Sequence, residues 1–173
     1  RMGLPIDVFI ASTNLNNVVP TYLENGIYEP INPSLSTISN AMDVGNPSNF
    51  PRMKALLDND LEKMRSLVVG YFYDDEATKV AMKDVFDRTG YVMCPHTAVA
   101  YLGLKAYTNT LSEPVSGIFF STAHYAKFLD VVEEVVGKQD IPTRLSDLLS
   151  LEKQATPMST EFADFKAWLM ANL

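Results

Sequence analysis

Residues 67–73 read LVVGYFY and run straight into Asp74-Asp75-Glu76, after which Ala77, Ala81, Met82, Val85 and Phe86 recur at helical spacing. The first run is β-branched and aromatic, the composition of a buried strand. The three acids stand where a helix dipole favours negative charge. Gly90 then ends the helix. A strand followed at once by a helix is the unit of an α/β fold, and the unit recurs along the chain. Downstream, Pro95 opens a helix expected over residues 96–107, then comes a strand-like run at 116–121 (SGIFFS) and a helix over 125–136 stopped by Gly137. Upstream, residues 6–11 (IDVFIA) read as another strand and lead through Ser12-Thr13-Asn14 into a helix near 18–23 that Asn25-Gly26 closes. Residues 51–66 carry Met53, Leu56, Leu57, Leu61 and Met64 at helical spacing behind a first-turn Pro51. Two amphipathic segments, 143–151 and 160–173, finish the chain.

Alternating strands and helices predict an α/β domain with a mostly parallel sheet. Three strands under this many helices leave bare edges, so the sheet is expected to be incomplete here. The division expected is residues 1–137 as the α/β part and 138–173 as a helical segment packing on it. The chain opens on Arg1-Met2-Gly3 and leads straight into strand-like sequence, so we expect it to begin within a domain, without a signal peptide.

Composition narrows the function. Of 173 residues, 47% are apolar and 20% charged, ordinary globular values, with net charge −7. No basic run is present to track a nucleic-acid backbone. No apolar stretch is long enough to span a bilayer. An anionic small molecule remains compatible, because a single Arg or a row of backbone amides can hold a phosphate against the net charge. Cys94 is the only cysteine, which excludes an internal disulfide, fits a cytoplasmic setting and accompanies no metal-ligand cluster. Beside Pro95 and His96 it invites a Cys–His nucleophile reading, but no third orienting group accompanies it, and a small buried apolar role is the commoner one.

In open α/β sheets ligands bind beyond the carboxyl ends of strands. Two such ends carry hydroxyls: Ser12-Thr13-Asn14, and Ser121-Thr122-Ala123-His124. On spacing alone, Ser121 and Thr122 are first read as caps of the following helix. The segment from Ser39 to Arg52 mixes small and amide residues with Met42 and Val44, with Gly45 as its pivot. It serves equally as an ordered loop or as a place where backbone meets a ligand.

Four stretches resemble threonine synthase of the bacterial and fungal type. They are Phe9-Ile10-Ala11-Ser12-Thr13-Asn14; Ser39-Asn40-Ala41-Met42-Asp43 with Asn46-Pro47-Ser48-Asn49; Pro95-His96-Thr97-Ala98-Val99-Ala100-Tyr101; and Thr122-Ala123-His124 with Ala126-Lys127-Phe128. They stand in the family's order across almost the whole chain, though residues after Lys138 carry little that is specific. The resemblance implies the C-terminal part of a tryptophan-synthase-β-like enzyme, pyridoxal-phosphate (PLP) fold type II, with an incomplete, mostly parallel sheet flanked by helices. It implies a PLP-dependent lyase of threonine biosynthesis that converts O-phosphohomoserine and water to L-threonine and phosphate. Thr122 matches the hydroxyl residue that faces the cofactor's pyridine nitrogen, and Ala41 and Met42 match the segment along the ring's edge. The family's Schiff-base lysine lies in a Phe-Lys-Asp motif and its cofactor phosphate in a Ser-Gly-Asn-Phe-Gly loop. Neither motif occurs here, so both are expected N-terminal to residue 1, and no catalytic residue is assigned in this chain. The partners implied are the substrate and the missing N-terminal part of the same enzyme, with self-association of the isolated chain, inactive by itself. Asn14, Asp43, Arg52, His96 and His124 lie in or beside the matching stretches without a role. Two alternatives stay open: a non-catalytic module that binds a phosphorylated ligand or a partner chain, and a serine or threonine dehydratase of the same fold.

Overall fold

Strands β1 (Phe9–Thr13) and β2 (Val68–Phe72) lie parallel, with Ala11 opposite Gly70, in a computed structural model that describes residues 3–172. The ladder continues past both strands, from Phe9 N–H to the Leu67 carbonyl (2.8 Å) and from Tyr73 N–H to the Thr13 carbonyl (3.0 Å). Between them the chain crosses over through α1 (Val18–Asn25), α2 (Phe50–Leu56) and α3 (Leu61–Arg65). Then α4 (Asp75–Thr89), α5 (Pro95–Thr108) and α6 (Leu129–Val136) follow.

Side-chain alternation along the strands sorts these helices into layers. Ala11, Val68 and Gly70 face α1, where Tyr22, Leu23, Phe50 and Met64 form one core. Phe50 stacks on Tyr28 at 4.4 Å and meets Tyr22 edge-on at 4.9 Å. Ile10 and Ser12 face the other way, onto α5. Gly103 permits this contact: a Cβ there would stand 2.6 Å from Ser12 Oγ and 3.1 Å from Ile10 Cγ2. Beyond α5 a second core joins α4, α5 and α6 through Met82, Val85, Met93, Ala98, Phe128 and Val132. The result is a small parallel sheet flanked by helices, as the alternation predicts.

Four local expectations change. The strand expected over 6–11 runs from Phe9 to Thr13, so Ser12 and Thr13 lie within it and only Asn14 stands past its end. The helix expected over 51–66 is two helices, because Asp58 and Asn59 both adopt left-handed backbone (φ 58° and 56°). Asp and Asn tolerate that region better than most residues, and Asp60 restarts the chain as a cap, accepting the Lys63 N–H at 3.1 Å. The helix expected over 125–136 opens as a 3-10 turn, Tyr125–Phe128. The run at 116–121 forms no strand, since among the described residues it has no ladder partner. Its alternation survives nonetheless: Phe119 packs inward beside Tyr101 at 5.7 Å, while Ile118 and Phe120 are 84% and 76% exposed.

The chain divides into two compact units, one reaching Gln139 and the other starting at Asp140. The second holds α7 (Thr143–Leu149) and α8 (Phe162–Asn172). None of its described residues is buried. The expected helix end at Leu173, like Arg1 and Met2, lies outside the described residues.

Candidate functional site

Asn14, the first residue past β1, organises the carboxyl end of the sheet. Its side chain is fully buried, so every polar atom on it needs a partner. Its Nδ2 donates to Thr37 Oγ1 (2.8 Å) and Asp43 Oδ1 (2.9 Å), with Ser39 Oγ at 3.2 Å. Its Oδ1 accepts the backbone N–H of Asn16 (2.9 Å) and the Asn16 amide (3.0 Å). Asn16 exchanges two bonds with the Leu35 backbone, at 2.8 and 2.9 Å. The Asp43 carboxylate also receives the Thr37 N–H (3.0 Å) and the Thr37 hydroxyl (2.7 Å). Asp75, in the first turn of α4, accepts the Ile38 N–H at 3.1 Å. The loop from Leu35 to Asp43 is thus bolted to the strand end by buried polar groups.

The N-terminal end of α5 meets this loop on one side and the 121–124 segment on the other. His96 Nε2 accepts the backbone N–H of Ala41 at 3.0 Å. One residue on, buried Thr97 donates its hydroxyl to Ser121 Oγ at 3.2 Å. The Ser12 hydroxyl donates to the Val99 carbonyl at 2.6 Å and ties the same helix to β1. Burial pushes the His96 imidazole below the ordinary histidine range; Lys127 adds to that, while the Asp43 carboxylate and the Ser39 carbonyl oppose it.

The residues singled out by resemblance fall around this junction. Ala41 and Met42 form a 3-10 turn, Asn40–Met42, with Ala41 exposed and Met42 half-buried. Thr122 is exposed and makes no side-chain hydrogen bond among the described residues. Capping of the next turn, the first reading for Ser121 and Thr122, falls to His124, whose Nδ1 accepts the Ala126 N–H at 3.1 Å. Arg52 is exposed in the first turn of α2. Gly45 is a point of close backbone approach, but to the chain itself: a Cβ there would overlap the Ile31 carbonyl oxygen, and Ile31 N–H bonds the Gly45 carbonyl at 2.8 Å. Cys94 is buried in the second core with its Sγ 3.2 Å from Thr97 Oγ1. Nothing local in the sequence marks Asn16 or Thr37, and the place of Asp75 at a helix start suggests only a partner for the helix dipole.

None of the nine lysines is buried. Lys79 is held above the usual lysine range by its hydrogen bond to Glu134, the reverse of what an imine-forming amine needs. Among the described residues no group of three or more His, Cys, Asp or Glu converges as metal ligands. No described helix is long and apolar enough to cross a membrane.

Comparison with known proteins identifies the family. Residues 97–168 match the family described as "Threonine synthase, C-terminal". The chain is 38% identical over 170 residues to threonine synthase of Buchnera aphidicola subsp. Baizongia pistaciae, covering 98% of this chain and 38% of that protein. It is 36% identical over 171 residues to the Escherichia coli protein, again covering 98% and 38%. The E. coli crystal structure superimposes with a TM-score of 0.88 at 35% identity, covering 99% of this chain and 39% of that one. A PLP-bound threonine synthase from Brucella melitensis superimposes at 0.83 with 26% identity, covering 98% and 41%. The chain therefore spans about two fifths of the length of the relatives it matches.

Proposed function

Since the chain is homologous to the C-terminal portion of threonine synthases, we propose that it serves, together with the remaining part of such an enzyme, in the conversion of O-phosphohomoserine and water to L-threonine and phosphate. The cofactor of this reading is PLP, which supplies an electron sink so that protons can be moved along the substrate chain, phosphate expelled from the γ-carbon and water added at the β-carbon. Everything else in the reading concerns what this chain's own side chains do.

One observation carries it. Thr122 holds an exposed hydroxyl free of the capping duty, which His124 has taken. Its neighbour Ser121 is tied to Thr97 at the end of α5 that His96 ties to Ala41. The two segments assigned to the cofactor by resemblance are thereby brought to one helix terminus. In this reading Thr122 offers its hydroxyl to the pyridine nitrogen, and Ala41 and Met42 border the ring. A neutral hydroxyl partner leaves that nitrogen free to stay unprotonated, as a carboxylate partner does not. The buried network from Asn14 to Asp43 holds the bordering loop still, which a reacting centre requires. The lysine that bonds the cofactor covalently belongs to the complementary part.

The test is reconstitution. Co-expressed with the portion of the E. coli relative that precedes the matching segment, the chain should co-purify with it and bind PLP. The pair should release phosphate from O-phosphohomoserine, while neither piece does so alone. A PLP-loaded pair that releases no phosphate would overturn the activity.

A second expectation needs no partner. The isolated chain, mixed with PLP and reduced with borohydride, should show only sparse labelling scattered over exposed lysines when mapped by mass spectrometry. One stoichiometric adduct at a single lysine would place the covalent anchor in this chain and contradict the assignment.

A further inference from the structure

His96 stands in the first turn of α5, and two features of its ring point the same way. Nε2 receives the Ala41 N–H at 3.0 Å, which demands a lone pair on that nitrogen. Nδ1 is buried and finds no hydrogen-bond partner among the described residues. The ring rests against Phe128, centroids 4.6 Å apart. A neutral imidazole that accepts at Nε2 carries its one proton on Nδ1. A charged ring carries protons on both nitrogens: one would confront an amide already pointing its hydrogen there, and the other would be a buried charged donor with no acceptor. Burial without a partner is far more costly for a charged group than for a neutral one.

We propose that His96 is a positioning residue: as the neutral, Nδ1-protonated ring it pins the Ala41–Met42 turn to the start of α5, and so sets the edge of the cofactor site only while it stays uncharged. The meaning of that edge rests on the cofactor reading above; the pin itself does not. The groups facing the ring are Asp43 and the Ser39 carbonyl from the loop, which favour charge, and Lys127 from the 3-10 turn, which opposes it. Burial decides the balance, lowering the folded-state pKa. The pin is therefore fully present above the ordinary histidine pKa of about 6.5 and is lost as pH falls through the lower folded value.

The experiment uses the isotopically labelled chain in solution. Long-range nitrogen–proton correlations report the tautomer of His96 at neutral pH. Hydrogen exchange reports protection of the Ala41 amide, corrected for its intrinsic rate. Ala98, whose N–H bonds the carbonyl of the N-cap Cys94 at 3.1 Å and so reports the integrity of the first turn of α5 itself, serves as reference. The expected result is the Nδ1–H tautomer, with Ala41 protection falling about tenfold or more as the ring titrates while Ala98 holds. H96Q supplies an amide oxygen that accepts but does not titrate; it should keep the protection and lose its pH step. H96F should lose the protection at every pH. If H96F does not fold, the wild-type titration decides alone. An Nε2–H tautomer at neutral pH, or Ala41 protection indifferent to the His96 titration, would overturn the proposal. No readout involves PLP or turnover, so failure here leaves the proposed reaction standing, and failed reconstitution leaves the pin standing.

Discussion

Asn14→Leu is expected to lower the unfolding free energy of the chain by about 3–4 kcal/mol, as a shifted urea midpoint with little change in slope. Leucine keeps the approximate volume but removes both donor hydrogens and the acceptor. The Asn16 backbone N–H loses its acceptor and the Asn16 side-chain amide loses one of its acceptors, while the Asp43 carboxylate and Thr37 hydroxyl each lose a donor. Each buried polar group left unpaired costs about 1–3 kcal/mol, with partial relief where water can enter. Against a usual domain stability of about 5–15 kcal/mol this is a large fraction. The loop carrying Ala41 and Met42 should loosen before the rest of the molecule does. A loss under about 1 kcal/mol would show that the loop is held by something other than this network.

The second large effect is on function. In the reconstituted enzyme, Thr122→Val should reduce PLP affinity or turnover about tenfold to a hundredfold, the equivalent of roughly 1–3 kcal/mol for a ring nitrogen that loses its partner. Stability should barely move, within about 0.5 kcal/mol, because Thr122 is exposed and caps nothing. Thr122→Ser should retain most of the activity, since it keeps the hydroxyl. Cofactor titration, turnover and thermal melting of the three proteins separate the effects. Unchanged PLP affinity and turnover in Thr122→Val would remove Thr122 from the cofactor site.

How much of this was legible depends on the range over which each feature is encoded. The strand at 67–73, the helix between Asp74 and Gly90 and the helix opened by Pro95 are written in consecutive residues. Local rules recover them to within a residue or two. The break at Asp58 and Asn59 is also local, but the hydrophobic spacing of Leu57 and Leu61 runs through it and hides it. The run at 116–121 has the side-chain pattern of a strand and lacks a neighbour to pair with, which no local pattern can supply. The polar network is non-local throughout: Asn14 meets Thr37, Ser39 and Asp43 across 23 to 29 residues. His96 reaches Ala41 across 55. Family resemblance put Asn14, Asp43 and His96 inside or beside motifs without saying why. The geometry supplies the reason, which is that these side chains hold a loop in place. A hydroxyl is the usual cap and a histidine is not, so local rules point to Ser121 and Thr122 where the structure uses His124.

Gly103 has a consequence for how this sequence can change over generations. His96 and Thr97 lie six to seven residues from it toward the start of α5, roughly 10 Å along the axis at 1.5 Å per residue. A methyl group at position 103 would meet Ser12 head-on, and the helix would have to rise or tilt about that point. The displacement would be felt at the far end, where His96 and Thr97 make their bonds. Position 103 is therefore closed to single-step drift, although it bears no functional group. A lineage can leave glycine there only by giving way at Ser12 in the same period, since its Oγ and Cβ would stand 2.6 and 2.7 Å from the new methyl group, so changes at 103 and 12 should travel together when diverged copies of this sequence are compared.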